Sequence, residues 1–217
     1  MRWLWRGRVW VLALGFAAFM LADDVVPGDP VVLTASFDPA RFEGDVAGYF
    51  AAQEARFDDI TPGTEKRVVW AGAAGDKTPL AVVYLHGFSA TSEEIRPVPD
   101  RVAEALGANL IFTRLAGHGR PGAALARVSV ADWMADVAEA LAAARAVGDR
   151  VVVIGTSTGA TLARIAVQYP EMRADVAGMV LISPNFRVKN PAAVILSSSM
   201  GRRSRMAQAW IFKEGQG

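Results

Sequence analysis

The sequence contains no cysteine, and the motifs of several other protein classes are missing as well. Without cysteine the chain has no disulfide, no zinc–thiolate site and no cysteine nucleophile. Its formal net charge is only +1, which argues against nucleic acid as the main partner. No G-x-G-x-x-G or Walker A motif follows a predicted strand, which disfavours a nucleotide-binding module. No cluster of histidines and carboxylates indicates a metal site, and we expect neither a metal nor a cofactor.

The first 22 residues differ in composition from the rest of the chain. Arg2, Arg6 and Arg8 precede an uncharged run of 14 residues, 9–22. A basic start and a short apolar stretch are typical of a secretory signal peptide. An uncleaved membrane anchor and a buried helix of the fold are the alternatives. A signal or an anchor predicts an exported protein, either in the bacterial periplasm or held in the inner membrane and facing the periplasm.

Strands and helices alternate through the middle of the chain. Apolar runs predict strands at 68–71, 80–85, 109–113, 150–154 and 179–183. Helical spacing and capping residues predict helices at 45–57, 99–106, 129–147 and 158–168. This alternation predicts an α/β fold, a three-layer αβα sandwich with a mostly parallel sheet. We assign four regions: a signal or anchor (1–22), a linker (23–42), the core (43–190) and two further helical pieces (191–217).

A G-x-S-x-G motif lies where the fourth predicted strand turns into a helix. It consists of Gly155, Thr156, Ser157, Thr158 and Gly159. At such a turn the serine is held in a strained conformation with its Oγ projecting from the sheet edge. Glycines on both sides remove the side chains that would collide with the neighbouring helix and strand. Ser157 is therefore the candidate nucleophile.

A second motif, His86-Gly87-Phe88-Ser89, directly follows the strand predicted at 80–85. A hydrolase needs two backbone N–H groups aimed at the oxyanion of a tetrahedral intermediate. Thr158, the residue after the nucleophile, is expected to supply one of them and Phe88 the other. We expect His86 to shape this turn, with no part in proton transfer.

A third motif follows the strand predicted at 109–113. Its sequence is Leu-Ala-Gly-His-Gly, with Gly117 and Gly119 suited to a tight turn and His118 expected to order the loop. The three motifs, each after a strand and in this order, resemble the α/β-hydrolase superfamily. The resemblance covers about residues 65–190 and is strongest to the lysophospholipase, monoacylglycerol-lipase and serine-aminopeptidase-like branch. It implies Ser157 as the nucleophile of a serine hydrolase, with Phe88 and Thr158 as oxyanion donors.

The sequence departs from this family after Ser157. In the family an acid and then a histidine follow the nucleophile, but both histidines of this chain, His86 and His118, precede it. Of the later acidic residues, Glu171 and Asp175 precede the last predicted strand, and Glu214 lies near the end. The helical pieces at 191–199 and 204–213 resemble the start of a lid, and the family's last two strands are missing. We expect the N-terminal part of a longer enzyme, or, if the chain is complete, a catalytically inactive one.

Two functions therefore stay open at this point. The first is a serine hydrolase that cleaves an ester of a small acyl substrate through an acyl-enzyme, complete only with further residues. The second is an inactive hydrolase-like protein that binds an acyl ligand or a partner at the cell envelope. Turnover by the 217-residue chain that is abolished by Ser157→Ala would rule out the second function.

Overall fold

The computed structural model describes residues 33–185, and everything said of the structure refers to that range. The sequence assignments to residues 1–22 and 191–217 lie outside it. Of the range predicted as a linker, residues 33–42 are described. They end in a short 3₁₀ helix, Pro39–Phe42, whose Phe42 is buried in the core, so this end packs on the body.

Five strands form a single sheet in the order β1-β3-β2-β4-β5. They are β1 (Arg67–Val69), β2 (Thr78–Leu85), β3 (Asn109–Phe112), β4 (Gly148–Thr156) and β5 (Val176–Ile182). The pairs β2–β3, β2–β4 and β4–β5 are parallel, and β1 is antiparallel to β3 at one edge. The prediction of a mostly parallel sheet is confirmed.

Five helices accompany these strands in the described range. They are α1 (Val46–Glu54), α2 (Val98–Leu106), α3 (Val130–Val147), α4 (Thr158–Ala166) and α5 (Pro170–Arg173). Ser129 and Asp132 form the predicted capping box at the start of α3. Pro170 begins the short α5. Proline is tolerated at this position because the N–H groups of a first helical turn have no partner within the helix.

The helices pack on the two faces of the sheet because side chains along a strand alternate between faces. Ala81, Val83 and Leu85 of β2 belong to the larger hydrophobic cluster, which includes residues of α1, α3 and α4. Val82 and Tyr84 belong to the smaller cluster, which includes Ala103 of α2. Every residue from Ala81 to Leu85 is fully buried, as the continuous apolar run predicts for a central parallel strand.

Three strands are longer than predicted, and one of them is β2, which begins two residues early, at Thr78. β4 begins at Gly148, which ends α3 directly, and β5 begins at Val176, three residues before the predicted start. Pairing with a neighbouring strand extends all three beyond the apolar run that identifies them. Within the described range β5 pairs only with β4, and Val180 on it is 49% exposed. None of the described helices is both long and apolar enough to span a membrane.

Candidate active site

The turn between β4 and α4 places Ser157 at the carboxyl edge of the sheet. Its backbone has φ 49° and ψ −111°, a left-handed conformation that is strained for any residue with a side chain. The Ser157 N–H donates to the carbonyl of Ile182 at 2.8 Å, which ties the turn to β5. The surrounding strands and helix thus hold the serine in a conformation it would not adopt alone.

The two glycines of the motif leave room for this turn. A Cβ built on Gly159 would lie 2.2 Å from the carbonyl oxygen of Leu85, at the end of β2. A Cβ on Gly155 would lie 2.7 Å from the Cα of Ala160, in the first turn of α4. Both distances are far below contact distance, so only glycine lets strand, turn and helix approach this closely.

The loop after β2 lies beside Ser157. A Cβ built on Gly87 would be 3.4 Å from the Cβ of Ser157, which is contact distance, so the two residues are close neighbours. Parallel strands β2 and β4 are neighbours, and their carboxyl ends therefore bring the two motifs together. Gly87 and Ser157, which are 70 positions apart in the sequence, are therefore neighbours in the structure.

His86 orients the peptide that carries the Phe88 N–H. Its Nε2 accepts the Leu115 N–H at 3.1 Å, which leaves the proton on Nδ1, and Nδ1 donates to the Gly87 carbonyl at 2.9 Å. Because a peptide unit is planar and trans, fixing the Gly87 carbonyl fixes the Phe88 N–H on the opposite side. The ring is fully buried, and burial lowers the pKa of His86 to about 3. It is neutral and fully bonded, consistent with a structural part and not with proton transfer.

The two expected oxyanion donors are free to act in this role. Within residues 33–185, neither the Phe88 N–H nor the Thr158 N–H donates a hydrogen bond to a described atom. The neighbouring Gly87 N–H is occupied, because it donates to Glu94 Oε2 at 2.9 Å. Phe88 is 46% exposed.

The loop after β3 packs against the loop after β2. The His118 ring lies 4.8 Å from the His86 ring and 5.6 Å from Trp133, between ring centroids. Its Nδ1 contacts the Ala116 carbonyl at 3.2 Å, its buried Nε2 has no partner in the described range, and burial lowers the pKa of His118. Gly117 and Gly119 have φ of 78° and 64°, as their place in a tight turn predicts.

A buried ionic network, which sequence reasoning missed, holds this second loop. Asp136 on α3 accepts the Ala116 N–H at 2.6 Å and pairs with Lys66 at 2.9 Å. Lys66 also pairs with Glu139, and Glu139 accepts the Tyr49 hydroxyl at 3.0 Å. Burial raises the pKa of Asp136, and the Lys66 ammonium opposes that rise. The residues lie far apart in sequence, so no local pattern announces the network.

Among the described residues, Ser157, the candidate nucleophile, has one side-chain partner, which the sequence did not mark as functional. Asn185 Nδ2 donates to Ser157 Oγ at 2.8 Å. The Asn185 N–H also donates to Thr161 Oγ1 at 2.9 Å, and Thr161 donates to the Ser157 carbonyl. Asn185 follows β5 at the same sheet edge as Ser157. That position is the only feature of the sequence that could have indicated its place in the site.

No described carboxylate or imidazole accepts a hydrogen bond from Ser157. Asp175 precedes β5, so it lies at the opposite end of that strand from Ser157. Its Oδ2 is 3.8 Å from Arg145 Nε. Glu171 lies in α5, and Glu214 is outside the described range. No group of three or more potential metal ligands occurs among residues 33–185.

A cleft on the described body lies away from Ser157. It has a volume of about 740 Å³, and its lining residues include Lys66, Arg114, Asp136 and Glu139 but not Ser157, Phe88 or Thr158. Most of its charges are paired: besides the Lys66 network, Arg114 makes a buried two-bond pair with Glu54. Paired charges already neutralise each other, and we assign this cleft no part in catalysis.

The fold and the turn geometry together define an α/β-hydrolase. A comparison with protein families agrees, since the model of the alpha/beta hydrolase family matches residues 82–215. The chain belongs to this family.

Two relatives are similar over part of their length. The thermostable monoacylglycerol lipase of Bacillus sp. (strain H-257) is 31% identical over 105 residues, which are 48% of this chain and 40% of the lipase. A solved structure from the metagenome-derived lipolytic enzymes LipS and LipT is 27% identical with a TM-score of 0.55. That match covers 64% of this chain and 54% of the other. The chain therefore spans about half the length of the esterases and lipases it resembles.

Proposed function

We propose that the protein is a serine hydrolase that cleaves a carboxylic ester through an acyl-enzyme. The observation that carries the proposal is the strained Ser157, whose Cβ lies against Gly87 of the loop that presents the Phe88 N–H. A nucleophile and an oxyanion donor on neighbouring strands are the arrangement that acyl transfer requires.

In the proposed reaction, Ser157 Oγ attacks the carbonyl carbon of the ester, and its proton passes to a base. The Phe88 and Thr158 N–H groups donate to the oxyanion of the tetrahedral intermediate. The intermediate collapses, the C–O bond of the ester breaks, and the alcohol leaves with a proton. Water then attacks the acyl-enzyme, releases the carboxylic acid and returns the proton to Ser157.

The base is the missing part of this scheme. No histidine follows Ser157 in the 217 residues, and both earlier histidines are buried and neutral. We propose that the 217 residues alone do not turn over substrate, and that a longer form of the protein supplies the base and the acid that orients it. Ester substrates are favoured because the relatives are described as a monoacylglycerol lipase and as lipolytic enzymes.

A second candidate function is an inactive hydrolase-like protein that binds an acyl ligand at the cell envelope. The hydrogen bond from Asn185 to Ser157 Oγ favours it, since this amide occupies the nucleophile with a group that cannot take its proton.

Labelling with a fluorophosphonate tests the first function. The protein expressed from its complete reading frame should be labelled at one serine, Ser157→Ala should abolish labelling, and Ser36→Ala, at an exposed serine outside the turn, should leave it unchanged. Labelling that survives Ser157→Ala would sink the assignment. An unlabelled wild-type protein that still binds fatty acids would support the second function instead.

We also propose that the N-terminal segment exports the protein and leaves its body outside the cytoplasm, as a periplasmic or inner-membrane-anchored protein. The argument is the basic start with Arg2, Arg6 and Arg8 before the apolar run 9–22. Fusing residues 1–32 to alkaline phosphatase should give an active fusion in a bacterial host. An inactive fusion that accumulates in the cytoplasm would contradict export.

A further inference from the structure

Glu94 lies in the segment between β2 and α2, outside all three motifs. Its Oε2 atom accepts two hydrogen bonds, from the Gly87 N–H at 2.9 Å and from the Tyr84 hydroxyl at 2.9 Å. Glu94 is an exposed residue, and an exposed carboxylate normally samples many rotamers in water. Two donors on one oxygen hold this one against the loop that carries Phe88.

Tyr84 connects the same carboxylate to the nucleophile strand. Its hydroxyl is 3.2 Å from Thr156 Oγ1, and Thr156 immediately precedes Ser157. Burial raises the pKa of Tyr84, so the hydroxyl keeps its proton and continues to donate to Glu94. The chain of contacts from Gly87 through Glu94 and Tyr84 to Thr156 therefore spans the end of β2 and the end of β4.

The Gly87 residue is fixed from both sides. His86 Nδ1 holds its carbonyl, and Glu94 holds its N–H. With both flanking peptides bonded, φ and ψ of a glycine that would otherwise be free are determined, and so is the direction of the Phe88 N–H. His86 belongs to a recognised motif; Glu94 completes the same task from a position that no motif marks.

We propose that Glu94 is a positioning residue for the oxyanion donor: its carboxylate holds the Gly87 amide so that the Phe88 N–H faces the carbonyl oxygen of a substrate on Ser157. This inference rests on the proposed function. The arrangement also explains why the hole uses Phe88, since the Gly87 N–H is already committed. An oxyanion donor acts mainly in the transition state, so its misplacement lowers kcat more than it changes KM.

The test compares three variants of the protein expressed from its complete reading frame, with hydrolysis of p-nitrophenyl butyrate as the assay. Glu94→Ala removes the acceptor and is expected to lower kcat about tenfold with KM nearly unchanged. Glu94→Gln keeps an oxygen that can accept both bonds, and its kcat should stay within about threefold of wild type. Glu93→Ala is the matched control, because Glu93 is in the same turn but pairs with Arg67 and Arg96.

A second readout does not depend on activity. Hydrogen exchange of the Gly87 amide, followed by NMR on 15N-labelled protein, should be about tenfold or more faster in Glu94→Ala than in wild type and nearly unchanged in Glu94→Gln. Loss of Gly87 protection in Glu94→Ala supports the proposed bond even if the wild-type protein proves inactive. In that case the proposed function fails and the bond stands.

Three results would overturn the proposal. The first is a wild-type kcat in Glu94→Ala, whatever happens to its thermal stability, since a purely structural residue would change only the latter. The second is a Gln variant as slow as the Ala variant, because the accepting oxygen would then not be what matters. The third is a Gly87 amide that exchanges equally fast in all variants.

Discussion

The loops after β2 and β3 contain the same His-Gly dipeptide, and the structure uses it in two different ways. His86 and His118 are both buried, at 0% and 1% exposure, and their rings touch. Both ring nitrogens of His86 are bonded, whereas His118 leaves Nε2 without a described partner. A dipeptide by itself therefore does not define a role; the atoms that its imidazole meets do.

The backbone of each loop shows the same contrast. The first loop has an N–H without a partner in the described range, that of Phe88, whereas several backbone groups of the second loop are bonded to other parts of the protein. Asp136 accepts the Ala116 N–H, and Trp133 Nε1 donates to the Ala116 carbonyl at 3.0 Å. Arg114 donates to the His118 carbonyl at 3.0 Å. The first loop is free to bind a ligand atom, and the second supports it.

Replacing the backbone donor of the first loop should have the largest effect. Phe88→Pro removes the N–H and is expected to lower the fluorophosphonate labelling rate of Ser157 on the order of 10²–10³-fold. Phe88→Ala keeps the N–H and should change the rate less than about fivefold. Equal rates in the two variants, with thermal unfolding showing both folded, would remove Phe88 from the oxyanion hole.

Replacing each histidine by leucine should separate the loops next. His86→Leu leaves the Leu115 N–H and the Gly87 carbonyl without their hydrogen-bond partner. We expect this to cost about 3 kcal/mol of unfolding free energy. His118→Leu loses only one long contact to the Ala116 carbonyl and should cost about 1 kcal/mol. Urea unfolding measures both values. A larger loss for His118→Leu would reverse the comparison.

The two histidines should also make stability depend on pH. Burial lowers the pKa of both in the folded state, so as the pH falls below the ordinary value of 6.5 the unfolded state takes up these protons before the folded state does. Stability is then full above about pH 7 and falls with decreasing pH by up to about 1.4 kcal/mol per pH unit for each histidine. Asp136, with its raised pKa, opposes this trend only at the acid end.

Calorimetry from pH 8 to 5 measures that slope. His118→Leu should reduce it, because one of the two protonation sites is then gone. A slope that is the same in the variant would show that His118 does not titrate differently in the folded and unfolded states.

The smallest effect is expected at the edge of the second loop. Trp133→Phe keeps most of the aromatic packing but loses the indole N–H bond to the Ala116 carbonyl, which should cost about 1 kcal/mol. The labelling rate of Ser157 should not change, since this loop only supports the first. A slower Ser157 with unaltered stability would show that the two loops are more closely coupled than their hydrogen bonds indicate.

Local pattern was enough to predict most of the fold. Continuous apolar runs gave the four parallel strands, and the capping box marked α3. The predicted strand ends were less accurate, because pairing with a neighbour extends a strand beyond its apolar run. The short α5 was not predicted, because a proline begins it in the first helical turn. The antiparallel direction of β1 was not predicted either, since the sequence of a three-residue edge strand does not indicate which strand it pairs with or in which direction.

The candidate site likewise has some features that local sequence predicts and others that it does not. Glycines within two positions of Ser157 indicate the strained turn, although the close approaches that require them involve Ala160 of α4 and Leu85 at the end of β2. Glu94, Asn185 and the Lys66–Asp136 pair could not be found from sequence, because each acts across a contact between segments that are distant or patternless. Such contacts depend on which strand ends are neighbours.

The sequence by itself determined that a serine sits on a strained strand-to-helix turn and that two His-Gly loops precede it, because glycine placement and apolar periodicity are local properties. Only the tertiary structure decided that the two loops have different roles. The strand order β1-β3-β2-β4-β5 puts β2 between β3 and β4. The loop after β2 therefore lies next to Ser157, while the loop after β3 is one strand further away and packs against the loop after β2.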